Sequence, residues 1–280
     1  SSEPLDIKNY IGLTGDTPIR FIASDVDGTL VNDAKSVDPE VVNAVRAARE
    51  SGIRVAIASG RAWHEMDDVI DAMPCLRYFV CTNGAYVMDK EGKKELVHIS
   101  FDKTRAIDLV RKLMTYGVFV EAYVKAEIFG QYPTVGNETL QAERFFRPNI
   151  RPFILKTRTM VPDLLAHLES LPEGPEKIQI FYGDERIRER ILADLRDDFQ
   201  GAATDGKGRE RFYDVLESSE GNLEFVLPHT TKGTAVEALA NHWGYTPDEV
   251  MTIGDSENDL SMIRFAGASV AMGNARDNVK

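Results

Sequence analysis

Short apolar runs, each followed by a glycine-bearing loop or turn and then by a helix-length segment, most restrict what this chain can fold into. Residues 20–24 read Arg-Phe-Ile-Ala-Ser and lead into Asp-Val-Asp-Gly-Thr-Leu. A run so short and apolar, ending in a loop, predicts a buried strand. Asp38 can cap a helix, Pro39 suits its first turn and Gly52 ends it; Val41, Val42, Val45 and Ala48 recur at helical spacing between them. Residues 54–59 predict a second buried strand, 62–72 a helix and 78–81 a third strand. Strand, helix, strand, helix, strand predicts a parallel sheet with right-handed crossovers.

After Asn83-Gly84 the pattern changes. A hairpin is predicted over 86–100, then a helix from Asp102 to about Tyr116, stopped at Gly117, and a strand over 118–124. Further strands are predicted near 177–182, 211–216 and 222–227, and helices near 138–146, 162–170 and 185–199. Hairpins mixed with helices predict an α+β domain with an antiparallel sheet. From Thr231 the first pattern returns: a helix to about Trp243, a strand over 249–254, a helix over 258–265 and a strand over 268–272. The expected fold class is therefore α/β, a doubly wound, mostly parallel Rossmann-like core interrupted by an inserted α+β domain. The core is expected over 20–85 and 228–280, the insert over 86–227, and a short N-terminal tail over 1–19. The chain's 280 residues agree with about two domains.

Charge narrows the partners. Lys and Arg number 33 against 45 Asp and Glu, a net charge of −12, which disfavours phosphate backbones and anionic lipid surfaces. Neither a nucleic acid nor a membrane is expected as a partner. No stretch approaches the ~20 apolar residues of a membrane helix, and no apolar block in the first twenty residues marks a signal peptide. Cys75 and Cys81 are not spaced C-x-x-C, and two thiols in so long a chain predict no disulfide framework. A cytoplasmic location is expected. The five histidines match no metal-ligand spacing. The basic stretch of Arg144, Arg147, Arg151, Lys156 and Arg158 is expected to be a solvated face, and Phe145-Phe146 and Phe181-Tyr182 to be core.

Chemistry-bearing residues fall at the predicted C-terminal ends of the core strands or just beyond, the edge where open parallel sheets bind ligands. They are Asp25-Val26-Asp27, Ser59-Gly60-Arg61, Asp255 through Asp259, and Lys232 at a helix start. Asp25, Asp27, Asp255 and Asp259 together carry four formal negative charges, which calls for a cation. Every ligand on offer is an oxygen, which suits Mg²⁺ before Zn²⁺. A phosphate would then complete the charge balance, with Lys232 adding one positive charge. In the first turn of a helix Lys232 also opposes the dipole, which argues for a role beyond solvation.

Asp25-Val-Asp-Gly-Thr-Leu-Val, Ala-Ser59-Gly-Arg61, Thr-Lys232-Gly and Gly254-Asp-Ser-Glu-Asn-Asp259 resemble, in order, the four motifs of the haloacid dehalogenase superfamily. With the Thr82-Asn-Gly-Ala turn and the closing Val270-Ala-Met-Gly-Asn-Ala, the set is similar to the Cof-like sugar-phosphate phosphatases, which carry a large α/β cap between the second and third motifs. The resemblance implies a phosphomonoester hydrolase with Asp25 as nucleophile, forming an aspartyl phosphate, and Asp27 as general acid and base. It implies Mg²⁺ held by the Asp25 side chain, the Asp27 carbonyl and the Asp255 side chain, with Asp259 orienting ligands or Lys232. It implies phosphate contacts from Val26, Ser59, Gly60, Lys232 and Asn258, and Arg61 could reach the substrate. The expected substrates are small phosphorylated metabolites, sugar phosphates first, with a mobile cap that selects the leaving group. Members usually continue past the Asn274-Ala-Arg segment with a further helix and strand, which this sequence does not include; all four motifs lie before that point. A phosphotransferase or phosphomutase with the same intermediate, and a non-catalytic phosphate-sensing module, stay open as alternatives.

Overall fold

The computed structural model describes residues 17–27, 37–199, 211–218, 220–254 and 257–271. Two compact units divide the chain. One takes the segments up to His98 and from His229 onward, the other Ile99–Pro228.

The first unit opens with β1 (Phe21–Asp25), α1 (Pro39–Glu50), β2 (Arg54–Ala58), α2 (Asp67–Ala72) and β3 (Tyr78–Cys81). Asp38 caps α1 by accepting from the Glu40 N–H at 2.8 Å, with Pro39 as first helical residue. A hairpin follows, β4 (Tyr86–Asp89) and β5 (Lys94–His98). Expected at the start of the insert, it belongs instead to the first sheet: β4 pairs antiparallel with β3, Tyr78 facing Asp89 and Cys81 facing Tyr86. The boundary thus moves from 85/86 to 98/99. The change of grammar after Gly84 marks a change of strand direction within one sheet, not a change of domain.

In the second unit come α3 (Lys103–Met114), β6 (Phe119–Val124), β7 (Glu127–Gln131), α4 (Glu138–Phe145), α5 (Arg151–Thr157), β8 (Thr159–Met160), α6 (Leu164–Ser170), β9 (Lys177–Phe181), α7 (Glu185–Asp194), α8 (Arg196–Phe199), β10 (Asp214–Ser218) and β11 (Asn222–Val226). Its sheet runs β10-β11-β9-β6-β7-β8 and is antiparallel except where β7 meets β8. The single helix expected over 185–199 is broken into α7 and α8 at Leu195, which turns inward and is buried. One sheet face, with Val120, Ala122, Ile178, Ile180 and Phe225, packs on α3, α6 and α7. On the other face Phe119 and Phe181 meet Phe145, Phe146 and Ile154.

Beside that aromatic cluster the same face carries charge. The basic stretch expected to be solvated ends in Arg158, which is buried. Its guanidinium donates to both oxygens of buried Glu121, at 2.8 and 2.9 Å. Gln179 donates to Glu121 Oε1 at 2.6 Å, and the Tyr123 hydroxyl accepts from Arg158 at 3.1 Å. A fork-to-carboxylate pair survives burial because each charge finds its partners there.

The chain then returns to the first unit with α9 (Lys232–Trp243), β12 (Val250–Gly254), α10 (Leu260–Phe265) and β13 (Ala268–Ala271). Thr231 caps α9 by accepting from the Thr234 N–H, and Gly244 closes it. The first sheet runs β13-β12-β1-β2-β3-β4-β5, with β13, β12, β1, β2 and β3 parallel. Side chains alternate between two buried layers. Ile22, Val55, Ile57 and Phe79 face α1 and α2. Phe21, Ala23, Ala56 and Ala58 face α9, whose Ala235, Val236, Leu239 and Ala240 pack on them. Helices cover both faces, and successive connections leave β1 in opposite directions, toward β2 and later toward β12. This is the expected doubly wound architecture with β1 at the switch point. No helix among the described residues is long and apolar enough to cross a membrane.

Replacing Arg158 by Met strands the Glu121 carboxylate in the interior and is expected to cost about 3–5 kcal/mol of stability in urea unfolding. Adding Glu121→Gln should recover part of that loss; an additive double variant would show that the two side chains are not coupled.

Candidate active site

Strand alternation places Asp25 on the same side as Phe21 and Ala23, the side covered by α9. There it meets Lys232, the first residue of that helix. Lys232 Nζ donates to Asp25 Oδ1 at 3.0 Å and to Asp259 Oδ1 at 2.7 Å. The Lys232 and Asp259 side chains are 1% and 0% exposed, and that of Asp25 is 9%. Burial alone would push the ammonium's pKa down, but Asp25 and Asp259 outweigh it and hold Lys232 above its ordinary 10.5. Two carboxylates against one ammonium leave this buried trio with a net negative charge.

Two glycines let these segments approach. A Cβ on Gly254 would lie 2.5 Å from Asp259 Cβ, and one on Gly233 would lie 2.5 Å from the Ser261 backbone. Neither contact is tolerable for a larger residue. Gly233 N–H also donates to Ser261 Oγ at 2.9 Å, tying the start of α9 to α10.

Val26 is fully buried in the layer opposite Asp25 and anchors the chain between the two aspartates. Asp27 is half-exposed, and Arg61 grips it from Nη2 to Oδ1 at 2.7 Å and from Nε to Oδ2 at 3.3 Å. Arg61 also donates to Asp68 Oδ1 at 3.1 Å and to the Glu65 carbonyl at 3.2 Å. Its guanidinium is therefore committed to carboxylates of this unit. Burial lowers its pKa, but Asp27 and Asp68 more than compensate, so it stays above the usual arginine value. Ser59 is buried; its Oγ accepts from the Arg61 N–H at 3.0 Å, and among the described residues its own proton has no acceptor. Gly60 lies against the side chain of Asn83, whose Oδ1 accepts from exposed Asn258 Nδ2 at 3.5 Å. Asp255 lies outside the described residues.

Asp25, Lys232 and Asp259 are thus in contact, Asp27 and Arg61 form a second group, and Ser59, Gly60 and Asn258 lie at the ends of β2 and β12. Glu65, Asp68 and Asn83 were missed as site residues. Arg61, Glu65 and Asp68 stand at i, i+4 and i+7, a spacing that could have exposed the first two. The donors described here are oxygens, the chemistry of a hard cation. Among the described residues no three His, Cys, Asp or Glu side chains gather as a metal cage.

A family model described as haloacid dehalogenase-like hydrolase matches residues 22–280. Phosphatase YwpJ of Bacillus subtilis (strain 168) is 30% identical over 271 residues, covering 94% of this chain and 92% of that protein. Pyridoxal phosphate phosphatase YbhA of Escherichia coli (strain K12) is 27% identical over 265 residues, covering 93% of this chain and 90% of that one. The crystal structure of a haloacid dehalogenase-like hydrolase from Bacteroides thetaiotaomicron matches with a TM-score of 0.73 at 26% identity, covering 93% of this chain and 91% of the other. Fold, site and likenesses define an enzyme of the phosphomonoester hydrolase class, acting on phosphorylated small molecules. The chain belongs to the haloacid dehalogenase-like hydrolase family.

Lys232→Met removes the ammonium that two buried carboxylates share and is expected to cost about 3–5 kcal/mol. Because the folded-state pKa of Lys232 is raised, its contribution is complete below 10.5 and is lost as pH climbs through the raised value. Urea unfolding from about pH 7 to about pH 12 should show a constant gap between parent and variant that narrows only at the alkaline end. A gap already closing near neutrality would contradict this assignment.

Proposed function

We propose that this chain is a Mg²⁺-dependent phosphatase of small phosphorylated metabolites, sugar phosphates foremost, that works through an aspartyl phosphate formed on Asp25. The observation that carries the reading is Lys232, buried against the carboxylates of Asp25 and Asp259 at the switch point of the parallel sheet. An ammonium there offsets negative charge where a phosphoryl group brings more. That YbhA is named for a small phosphate ester supports the substrate class.

Asp25 attacks phosphorus in line; the bond to the ester oxygen breaks and the phosphoryl group rests on the Asp25 carboxylate. Asp27 gives a proton to the departing alkoxide, then takes one from the water that attacks phosphorus and restores Asp25. Both Asp27 oxygens are engaged by Arg61, so the proton transfers require that contact to open. The phosphoryl oxygens take hydrogen bonds from the Ser59 hydroxyl, the Val26 and Gly60 N–H groups, the Asn258 amide and Lys232. The Ser59 proton, without an acceptor among the described residues, supports its place in this set. Asp259 keeps the ammonium of Lys232 oriented.

The oxygen donors fit Mg²⁺, which we assign to the Asp25 side chain, the Asp27 carbonyl and the Asp255 side chain. When bound, the ion neutralises charge on the transferring group and steadies it for attack.

Asp25→Asn removes the nucleophile and leaves Lys232 paired with Asp259. Turnover of a generic phosphate ester should fall by about 10⁴-fold or more with the cooperative melt retained; hydrolysis at the parent rate would overturn the nucleophile. Excess EDTA should silence the parent enzyme, and added Mg²⁺ should restore it. Full activity in EDTA would remove the metal from the proposal.

A further inference from the structure

The opposite end of the first sheet carries a cluster that the chemistry at Asp25 does not use. Arg54 opens β2 and Tyr78 opens β3, both at the N-terminal edge. In register, Phe21 faces Arg54 and Asp25 faces Ala58, so Arg54 lies four residues, about 13 Å, down the sheet from the level of Asp25. Here a cavity of about 220 Å³ is lined by Arg49, Arg54, Arg77, Tyr78 and Tyr245, among others, and no carboxylate among the described residues lines it.

The three arginines differ in what neutralises them. Arg77 is held by both oxygens of Asp89, at 2.9 and 3.0 Å. Arg49 is held by Glu91 at 2.6 Å and by the Cys75 carbonyl at 2.8 Å. Glu249, four residues after Tyr245, is taken by Arg20 at 2.6 Å. Arg54 has no carboxylate partner among the described residues. It lies over the Trp243 ring, 4.6 Å from its centroid, and donates from Nη1 to the Tyr78 hydroxyl at 2.7 Å and from Nε to the Tyr245 hydroxyl at 3.2 Å.

Those two hydrogen bonds fix the polarity of the site. A guanidinium only donates, so each hydroxyl must accept from it and turn its own proton elsewhere. Neither proton, and none of the three remaining N–H groups of Arg54, has an acceptor among the described residues. The result is a set of donors without acceptors, around one unbalanced positive charge, in a protein of net charge −12. That set, around an unbalanced cation, is best matched by an oxyanion and repels a cation. Size narrows the ligand further. Pockets for drug-sized molecules run from about 300 to 1,000 Å³, so this one, at about 220 Å³, has the room of a small oxyanion.

We propose a second anion site at the N-terminal edge of the sheet, in which Arg54, Tyr78 and Tyr245 bind a small tetrahedral oxyanion of the phosphate class. The site stands apart from the reaction at Asp25, and Trp243 reports on it directly.

The chain has two tryptophans, so Trp63→Phe leaves Trp243 as the sole indole. Inorganic phosphate titrated into that protein with Mg²⁺ present should change Trp243 emission saturably. Sulfate should do the same, and chloride at equal ionic strength should not. Arg54→Gln and Tyr245→Phe should each weaken the response about tenfold or more, the loss expected for a hydrogen bond to a charged group. The hydroxyl variant keeps the aromatic ring and serves if Arg54→Gln melts early; the unmodified chain, titrated alongside, checks that Trp63→Phe has not disturbed the site. No saturable change, an equal change with chloride, or an unweakened response in either variant overturns the proposal. Phosphate-ester turnover is read separately, so neither result bears on the Asp25 assignment.

Discussion

A buried ammonium needs compensation, and that need organises the first unit. Removing an ammonium-sized ion from water costs several kcal/mol even after relaxation, so Lys232 needs an anionic partner in the interior, and two carboxylates meet it there. They come from segments far apart in the chain: Asp25 is 207 residues from Lys232, and Asp259 is 27. One charge cluster therefore fixes the end of β1, the start of α9 and the turn before α10 relative to one another. The position is costly on local grounds, since a cation in a helix's first turn opposes the dipole. The aspartates offset that cost, and the trio keeps a net negative charge.

Around this centre the second group has a different character. Asp27 is half-exposed and its partner Arg61 is mostly covered, so the bond between them sits where water begins. Arg61 is in turn braced by Asp68 and by the Glu65 carbonyl, while the Glu65 carboxylate accepts from the Ala62 N–H at 2.9 Å. The short turn after β2 is thus a rigid bracket for one arginine. Its effect is to hold the Asp27 carboxylate in a defined place without burying it, within reach of solvent for the proton transfers proposed once the contact opens. Asp25, a nucleophile in the proposed reaction, gains more from burial beside a fixed ammonium than from exposure.

The core sheet was legible because its strands are short, uniformly apolar and closed by aspartate- or glycine-bearing loops. Asp25, Ser59, Gly60 and Lys232 follow from that frame, since each sits where a predicted strand or loop hands over to a helix. The hairpin of β4 and β5 was assigned to the wrong unit because periodicity reports strand and turn but not the pairing partner, and the pairing of β4 with β3 leaves no mark in the sequence. Arg158 was misread for a related reason. A run of arginines looks solvated until Glu121, 37 residues earlier, is placed beside it. Arg61 was noticed for its reach toward a substrate; that Asp27 and Asp68 are its partners emerges only once β1, β2 and α2 are adjacent.

A parallel sheet treats its two edges unequally. At the C-terminal edge, loops converge and can collect carboxylates from several segments, as Asp25 and Asp259 do here. At the N-terminal edge, helices end and strands begin, and what gathers is set by helix C-termini and strand starts. Helix C-termini favour cations, and in this chain Arg49, in the last turn of α1, obeys that preference while Arg54 opens the next strand. A concentration of arginines at that edge therefore needs no function to explain it. The distribution of acids does call for one. Asp89, Glu91 and Glu249 each neutralise a neighbour of Arg54, and none neutralises Arg54 itself. Its contacts are instead two hydroxyls and an indole face, groups that hold a guanidinium in place without cancelling its charge. A cation positioned and left unbalanced in this way retains its attraction for an anion from outside.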